Sequence, residues 1–120
     1  MLLNTFASVK PLLEAKKFTV DYDAVVHFLS RYRHGQFIYP NAMRRELKCD
    51  IRIVYDILEL CEENKLLKPC LEVYCPYCQR FTGNIYEVIG DIPEEVGCVH
   101  CDNIVENPIT HAIVIYEVLL

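Results

Sequence analysis

Two pairs of cysteines have the residue type and the spacing of a metal site. The pairs are Cys75-Pro-Tyr-Cys78 and Cys98-Val-His-Cys101, which together form the pattern C-x2-C-x19-C-x2-C. Each pair can form a tight turn that directs two thiolates at one ion, and the intervening residues can form a hairpin that joins the two turns. Tetrahedral sulfur ligation without redox chemistry suits Zn²⁺. The sequence therefore predicts one structural zinc ion with these four cysteines as its ligands.

Other cysteine chemistry fits the pattern less well. A thioredoxin-like redox motif would explain one pair but not two, and it should open a helix, whereas the residues after Cys78 have strand and turn character. A catalytic zinc keeps an open position, which two complete thiolate pairs would close. His100 lies between two of the predicted ligands and is left as an alternative ligand, an exposed residue or a hydrogen-bond partner of a ligand. The remaining cysteines are predicted to be free thiols: Cys49, Cys61 and Cys70.

Composition indicates a small folded protein of a reducing compartment. The 120 residues are 52% hydrophobic, with eight tyrosines and five phenylalanines, which is ample for a core. No signal peptide is recognisable, and the longest apolar run, 112–116, is far too short to span a bilayer. Free thiols beside a metal cluster are typical of the cytoplasm, or of the nucleus in a eukaryote. We therefore expect a cytoplasmic or nuclear protein without membrane association.

Signatures of catalysis are missing from the sequence. It contains no Gly-rich phosphate loop, no G-x-S-x-G and no H-E-x-x-H, and four glycines in total make a nucleotide cradle improbable. We expect no enzymatic activity and no small-molecule substrate.

The charge balance argues against a general nucleic-acid binder. The formal net charge is −5, and four thiolates with one Zn²⁺ would bring it to about −7, whereas such binders usually carry a basic excess. One basic patch stands out and could contact a few phosphates, pair with Glu46 and Asp50, or face solvent. It consists of Arg44, Arg45, Lys48 and Arg52.

Hydrophobic periodicity and capping residues predict three main helices. Asp21 and Asp50 are candidate N-caps for helices over 22–34 and 51–64, a third helix is expected over 40–48, and Gly35 is expected to end the first of them. A short helix is expected over 11–17. Strands are predicted at 36–39, 66–74, 85–89 and 109–120. The last helix has one polar stripe, formed by Arg52, Asp56, Glu59 and Glu63. Its three carboxylates would be repelled by the phosphates that line a DNA groove. The stripe is therefore either a solvated surface or an acidic docking face.

Three helices followed by this cysteine pattern resemble winged-helix proteins that carry a zinc ribbon, such as the large subunit of the archaeal and eukaryotic general transcription factor E. Only the four cysteines are specific, so only their zinc-ligand role is carried over. The expected fold is α+β: a winged-helix-like three-helix core in 1–74 plus 109–120, whose β-hairpin wing carries a four-cysteine zinc ribbon at 75–108.

The resemblance implies a protein that works by binding. We expect a non-catalytic docking or adaptor subunit of a larger intracellular protein assembly. The alternative is a DNA-binding transcriptional regulator that uses the basic patch on the second and third helices. A protein partner is expected, either in a larger complex or as a second copy of the chain, because an apolar final strand at a sheet edge invites pairing.

Overall fold

The structure is a computed structural model that describes residues 5–120. Short 3-10 turns lie at Thr5–Ser8, Ile89–Asp91 and Pro108–His111. The α-helices are α1 (Val9–Lys16), α2 (Tyr22–Ser30), α3 (Pro40–Leu47) and α4 (Ile51–Glu63). The strands are β1 (Phe37–Ile38), β2 (Leu67–Tyr74), β3 (Phe81–Tyr86), β4 (Glu95–Gly97), β5 (Ile104–Glu106) and β6 (Ala112–Val118).

The strands form two antiparallel sheets, which confirms the predicted α+β class. The larger sheet has the order β1-β6-β2-β3, and the smaller one pairs β4 with β5. Phe37 of β1 lies opposite Glu117 of β6, and Leu71 of β2 lies opposite Tyr86 of β3. The prediction of an edge position for the last strand is wrong, because β6 lies between β1 and β2. Backbone hydrogen bonds link the segment around Gly35 to Val118 at the end of β6. These bonds hold β1 against the side of β6 that faces away from β2.

The chain divides into two compact units. The helical unit comprises the chain up to Lys68 together with Tyr116–Leu120, and the cysteine unit comprises Pro69–Ile115. Strands β2 and β6 each contribute residues to both units. The sequence-based domain division into 1–74 plus 109–120 and 75–108 stays a prediction.

Helices α2, α3 and α4 begin where the sequence predicts, whereas α1 begins at Val9 rather than at residue 11. The Asp21 carboxylate accepts a hydrogen bond of 3.1 Å from the Ala24 amide, and the Asp50 carboxylate accepts one of 2.8 Å from the Arg52 amide. Both side chains therefore satisfy an amide that the first helical turn leaves unpaired. Pro11 lies in the first turn of α1, where its missing amide donor costs nothing. The apolar face of α4 is fully buried at four positions: Val54, Ile57, Leu58 and Cys61.

The first main helix ends earlier than its sequence pattern predicts. Helix α2 stops at Ser30 rather than at residue 34, and the Arg31 and Tyr32 amides bond to Phe28 and Leu29 in tighter i to i−3 turns. Gly35 does adopt a left-handed φ of 83°, but its amide donates to the Val118 carbonyl at 2.9 Å. Pairing with β6 thus determines the chain path here, and this non-local contact is invisible to a periodicity argument.

Two strands also differ from the predicted bounds. The strand expected over 85–89 is β3, which starts at Phe81 because it folds straight back from the first cysteine turn to pair with β2. The last strand starts at Ala112, since the preceding residues Pro108–His111 form a 3-10 turn. No helix within residues 5–120 has the length and apolar character needed to cross a lipid bilayer.

Candidate metal centre

The first cysteine pair lies in a tight backbone turn between β2 and β3. The Cys75 amide donates to the Arg80 carbonyl at 2.7 Å, and the Gln79 amide donates to the Cys75 carbonyl at 3.0 Å. Gln79 has a left-handed φ of 60°, which reverses the chain directly after Cys78. The turn thereby points both thiols to the same side.

The second pair repeats this turn between β4 and β5. The Cys98 amide donates to the Asn103 carbonyl at 2.9 Å, and the Asp102 amide donates to the Cys98 carbonyl at 3.0 Å. Asp102 has a φ of 61°, in the position that corresponds to Gln79. Neither left-handed residue was predicted from the sequence. Aspartate tolerates this conformation and is a weak signal for it, whereas glutamine gives no such signal.

The two turns bring the four cysteine sulfurs together. All four lie within 4.8 Å of one another, with 3.7 Å between the Sγ atoms of Cys75 and Cys101 and 3.6 Å between those of Cys78 and Cys98. Sulfurs around a tetrahedral ion with metal–sulfur bonds of about 2.3 Å are separated by about 3.8 Å, whereas a disulfide needs roughly 2.0 Å. The cluster therefore has a geometry compatible with binding one metal ion.

Two of the four cysteines are part of the hydrophobic core of the cysteine unit. Cys75 and Cys98 are buried, whereas Cys78 and Cys101 are half-buried. The two buried cysteines pack with only four other buried residues: Val73, Ile92, Val96 and Val105. A core this small suggests that the unit depends on a bound ion for much of its stability.

The Asn103 side chain contacts one sulfur of the cluster, an interaction that the sequence did not disclose. Hydrogen bonds from the Asn103 backbone and from its side-chain nitrogen, 3.3 Å from the Cys101 sulfur, lower the pKa of Cys101 to about 7. Burial instead raises the pKa of Cys78 to about 12. Because metal ligation requires thiolates, a metal must displace protons from such a cluster. The affinity of the cluster for the metal therefore falls as the pH falls.

The other histidine and cysteine candidates lie outside the cluster. His100 is exposed and does not belong to the one group of potential metal ligands found within residues 5–120. Cys61 and Cys70 are buried, and Cys49 is half-buried. Burial raises the pKa of Cys61 to about 12, and burial together with the nearby Asp50 carboxylate raises that of Cys49.

The predicted basic patch is fully exposed in the helical unit. Arg44 and Arg45 belong to α3, Lys48 follows it, and Arg52 lies in the first turn of α4. Lys10 pairs with Asp23 at 3.0 Å, and Arg31 pairs with Glu46. Within residues 5–120, none of the four patch cations is in such an ion pair.

Among the residues that the structure describes, exposed large apolar side chains are concentrated in the cysteine unit. Tyr77 in the first turn is 62% exposed and Val99 in the second turn is 66% exposed. Five aliphatic residues of the same unit are also exposed: Ile85, Val88, Ile89, Ile104 and Ile109. Seven other aromatic residues are buried or half-buried: Phe18, Phe28, Phe37, Tyr39, Tyr74, Phe81 and Tyr86.

Gly83 of β3 allows the close approach of the second cysteine turn. Its φ is 104°, and a Cβ at this position would lie 3.0 Å from Cγ2 of Val99. The Val99 amide also donates to the Thr82 carbonyl at 3.3 Å.

We predict that Gly83→Ala destabilises the cysteine unit by about 1–3 kcal/mol, because alanine is strained at this φ. The measurement is the urea midpoint of the metal-loaded protein. Gly97→Ala is the matched control, since nothing lies within 4 Å of a Cβ there. Equal midpoints for the two variants would contradict the prediction.

Comparison of the chain with protein-family models, curated proteins and solved structures finds no match.

Proposed function

We propose that the protein is a non-catalytic docking or adaptor subunit of a larger intracellular protein assembly, and that its cysteine unit holds one structural Zn²⁺. The observation that carries this proposal is the surface of the cysteine unit, which combines exposed apolar side chains with a strong negative charge. Such a surface suits a protein partner and repels nucleic acid.

Zinc is supported by the donor set. Four thiolates favour Zn²⁺ over the oxygen-preferring ions, and the sulfur separations of 3.6 and 3.7 Å suit tetrahedral coordination. A complete thiolate shell leaves no open position for substrate, so the ion would stabilise the fold rather than catalyse a reaction. Its ligands would be Cys75, Cys78, Cys98 and Cys101.

A winged-helix interpretation of the core is supported by the element order. Helix α2, strand β1, helix α3 and helix α4 follow one another, then come β2 and finally β6. The sheet order β1-β6-β2 supports the proposal of a short first strand beside a two-stranded wing. We assign β2 and β6 as the wing, and residues 75–108 of the segment between them as a zinc ribbon.

The charges are divided unequally between the two units. Residues 69–115 contain seven carboxylates and one cation, Arg80, for a formal charge of −6, whereas eleven of the twelve Lys and Arg residues belong to the helical unit. Four thiolates and Zn²⁺ would bring the cysteine unit to about −8. Contact with phosphate through this unit is therefore unfavourable, and a protein partner with cationic residues is favoured.

The nucleophilic groups of the chain support a non-catalytic role. The raised pKa values of Cys49 and Cys61 keep both thiols protonated at neutral pH, which makes them poor nucleophiles.

The experiment that tests the docking proposal is affinity purification of the tagged protein from its host after nuclease treatment. A stoichiometric protein partner is expected.

A DNA-binding regulator is the second candidate, and the exposed, unpaired basic patch favours it. Against it, Asp56, Glu59 and Glu63 are exposed along α4, the helix that would enter a major groove.

The two candidates predict opposite effects of Arg44→Ala/Arg45→Ala. Under the docking proposal, this double variant retains its protein partner, because the two arginines lie outside the cysteine unit. Under the DNA-binding alternative, duplex binding is lost and the slope of log affinity against log salt falls by about two. Fluorescence anisotropy with duplex DNA and partner retention after nuclease are the two measurements. Lys16→Ala/Arg33→Ala is the control for the loss of two exposed cations of the helical unit.

A further inference from the structure

An open cavity lies within the cysteine unit, beside the β4–β5 hairpin. Its volume is about 710 Å³, and it is lined by residues 92–95 on one side and 106–110 on the other. The apolar part of the lining includes Ile92, Pro93, Pro108 and Ile109. Ile109 is 52% exposed, so the cavity offers apolar surface to a binding partner. We call this cavity the hairpin groove.

Three carboxylates also line the hairpin groove: Glu94, Glu95 and Glu106. Glu95 and Glu106 lie directly opposite each other in the β4–β5 register. Like charges in opposite positions on paired strands are destabilising. Neither glutamate is in an ion pair within residues 5–120. The repulsion between the two carboxylates is therefore not compensated within the chain, and a cation from another molecule would relieve it.

The arrangement of these carboxylates favours a cationic chain over a metal ion. The described residues contain one group of three or more side chains that could share an ion, and that group is the four cysteines. The three groove glutamates therefore do not converge on one point. Carboxylates distributed along an apolar groove match separate cationic side chains spaced along a peptide.

We propose that the hairpin groove binds a segment of a protein partner that carries lysine or arginine side chains together with apolar ones. The apolar side chains contact the lining around Pro93 and Ile109, and the cations pair with Glu95 and Glu106. The formal charge of −6 on the cysteine unit attracts the segment and disfavours acidic competitors. This inference rests on the docking function proposed above and specifies the chemistry of its partner.

The test begins with a random-peptide display selection on the purified, metal-loaded chain. Peptides enriched in lysine or arginine together with apolar residues are expected. One enriched peptide is then labelled, and its affinity is measured by fluorescence anisotropy for the wild type and for Glu95→Gln/Glu106→Gln. Losing two exposed charge pairs should weaken binding by about threefold to thirtyfold and reduce its dependence on salt.

The matched control is Glu59→Gln/Glu63→Gln, which removes the same charge from exposed positions of α4. It should leave peptide affinity within about twofold of the wild type. Glu95→Gln/Glu106→Gln should also raise the urea midpoint, because it removes the cross-strand repulsion; this shows that weaker binding does not come from unfolding. Selection of neutral or acidic peptides, failure to select any, or equal affinities for the two double variants would each overturn the inference.

Failure of this inference is distinguishable from failure of the docking function. If a nuclease-resistant protein partner is retained equally by Glu95→Gln/Glu106→Gln, docking stands and the hairpin groove is not its site. If the host provides no such partner, the docking function itself fails, whatever the purified chain binds in the display selection.

Discussion

Cys98→Ser is expected to abolish stoichiometric metal binding and to unfold the cysteine unit. Cys98 is both a sulfur of the cluster and a buried residue of the core, and the only other buried residues there are Cys75 and four aliphatic ones. Structural zinc in small domains supplies about 10–16 kcal/mol of apparent binding free energy, and this energy is also folding energy. The few aliphatic residues of this core cannot replace it.

Two measurements check this expectation. Metal analysis should find about one equivalent of zinc in the wild type and much less in Cys98→Ser. Amide hydrogen exchange should show loss of protection across residues 69–115 in the variant. Cys49→Ser is the matched control, since Cys49 is a half-buried thiol outside the cluster. A Cys98→Ser protein that keeps one equivalent of metal and full protection would contradict the metal assignment.

Leu58→Ala is expected to lower the free energy of unfolding of the helical unit by about 2–5 kcal/mol. Leu58 is fully buried on the apolar face of α4, so the truncation leaves a cavity among well-packed neighbours. The loss is a large fraction of the stability of a domain of this size.

The measurement is urea unfolding followed by far-ultraviolet circular dichroism, which reports the helices. Glu59→Ala is the control, because the adjacent side chain is exposed and its truncation should change stability by no more than about 0.5 kcal/mol. A Leu58→Ala midpoint equal to that of the control would show that α4 does not pack as described.

The sequence predicted those features that short-range patterns determine. The Asp21 and Asp50 caps fix the starts of α2 and α4, because the capping interaction involves residues only two or three positions apart. The buried face of α4 follows from its helical periodicity. The cysteine cluster follows from the spacing of two C-x-x-C pairs, whose chemistry admits few alternatives.

Features that depend on non-local contacts could not be predicted in the same way. The end of α2 is determined by the pairing of the Gly35 segment with Val118, more than 80 residues away. The position of β6 inside the sheet depends on the same pairing. The contact between Gly83 and Val99 exists only because the fold places the second cysteine turn against β3. The hairpin groove likewise depends on the register that places Glu95 opposite Glu106.

The most direct test of the central claim is affinity purification of the tagged protein from its native host, with nuclease treatment. We predict that a protein partner is retained in stoichiometric amount by the wild type and by Arg44→Ala/Arg45→Ala, and that Cys98→Ser loses it. Loss of all bound material on nuclease treatment, with sensitivity to Arg44→Ala/Arg45→Ala, would contradict the docking function and support DNA binding through the basic patch.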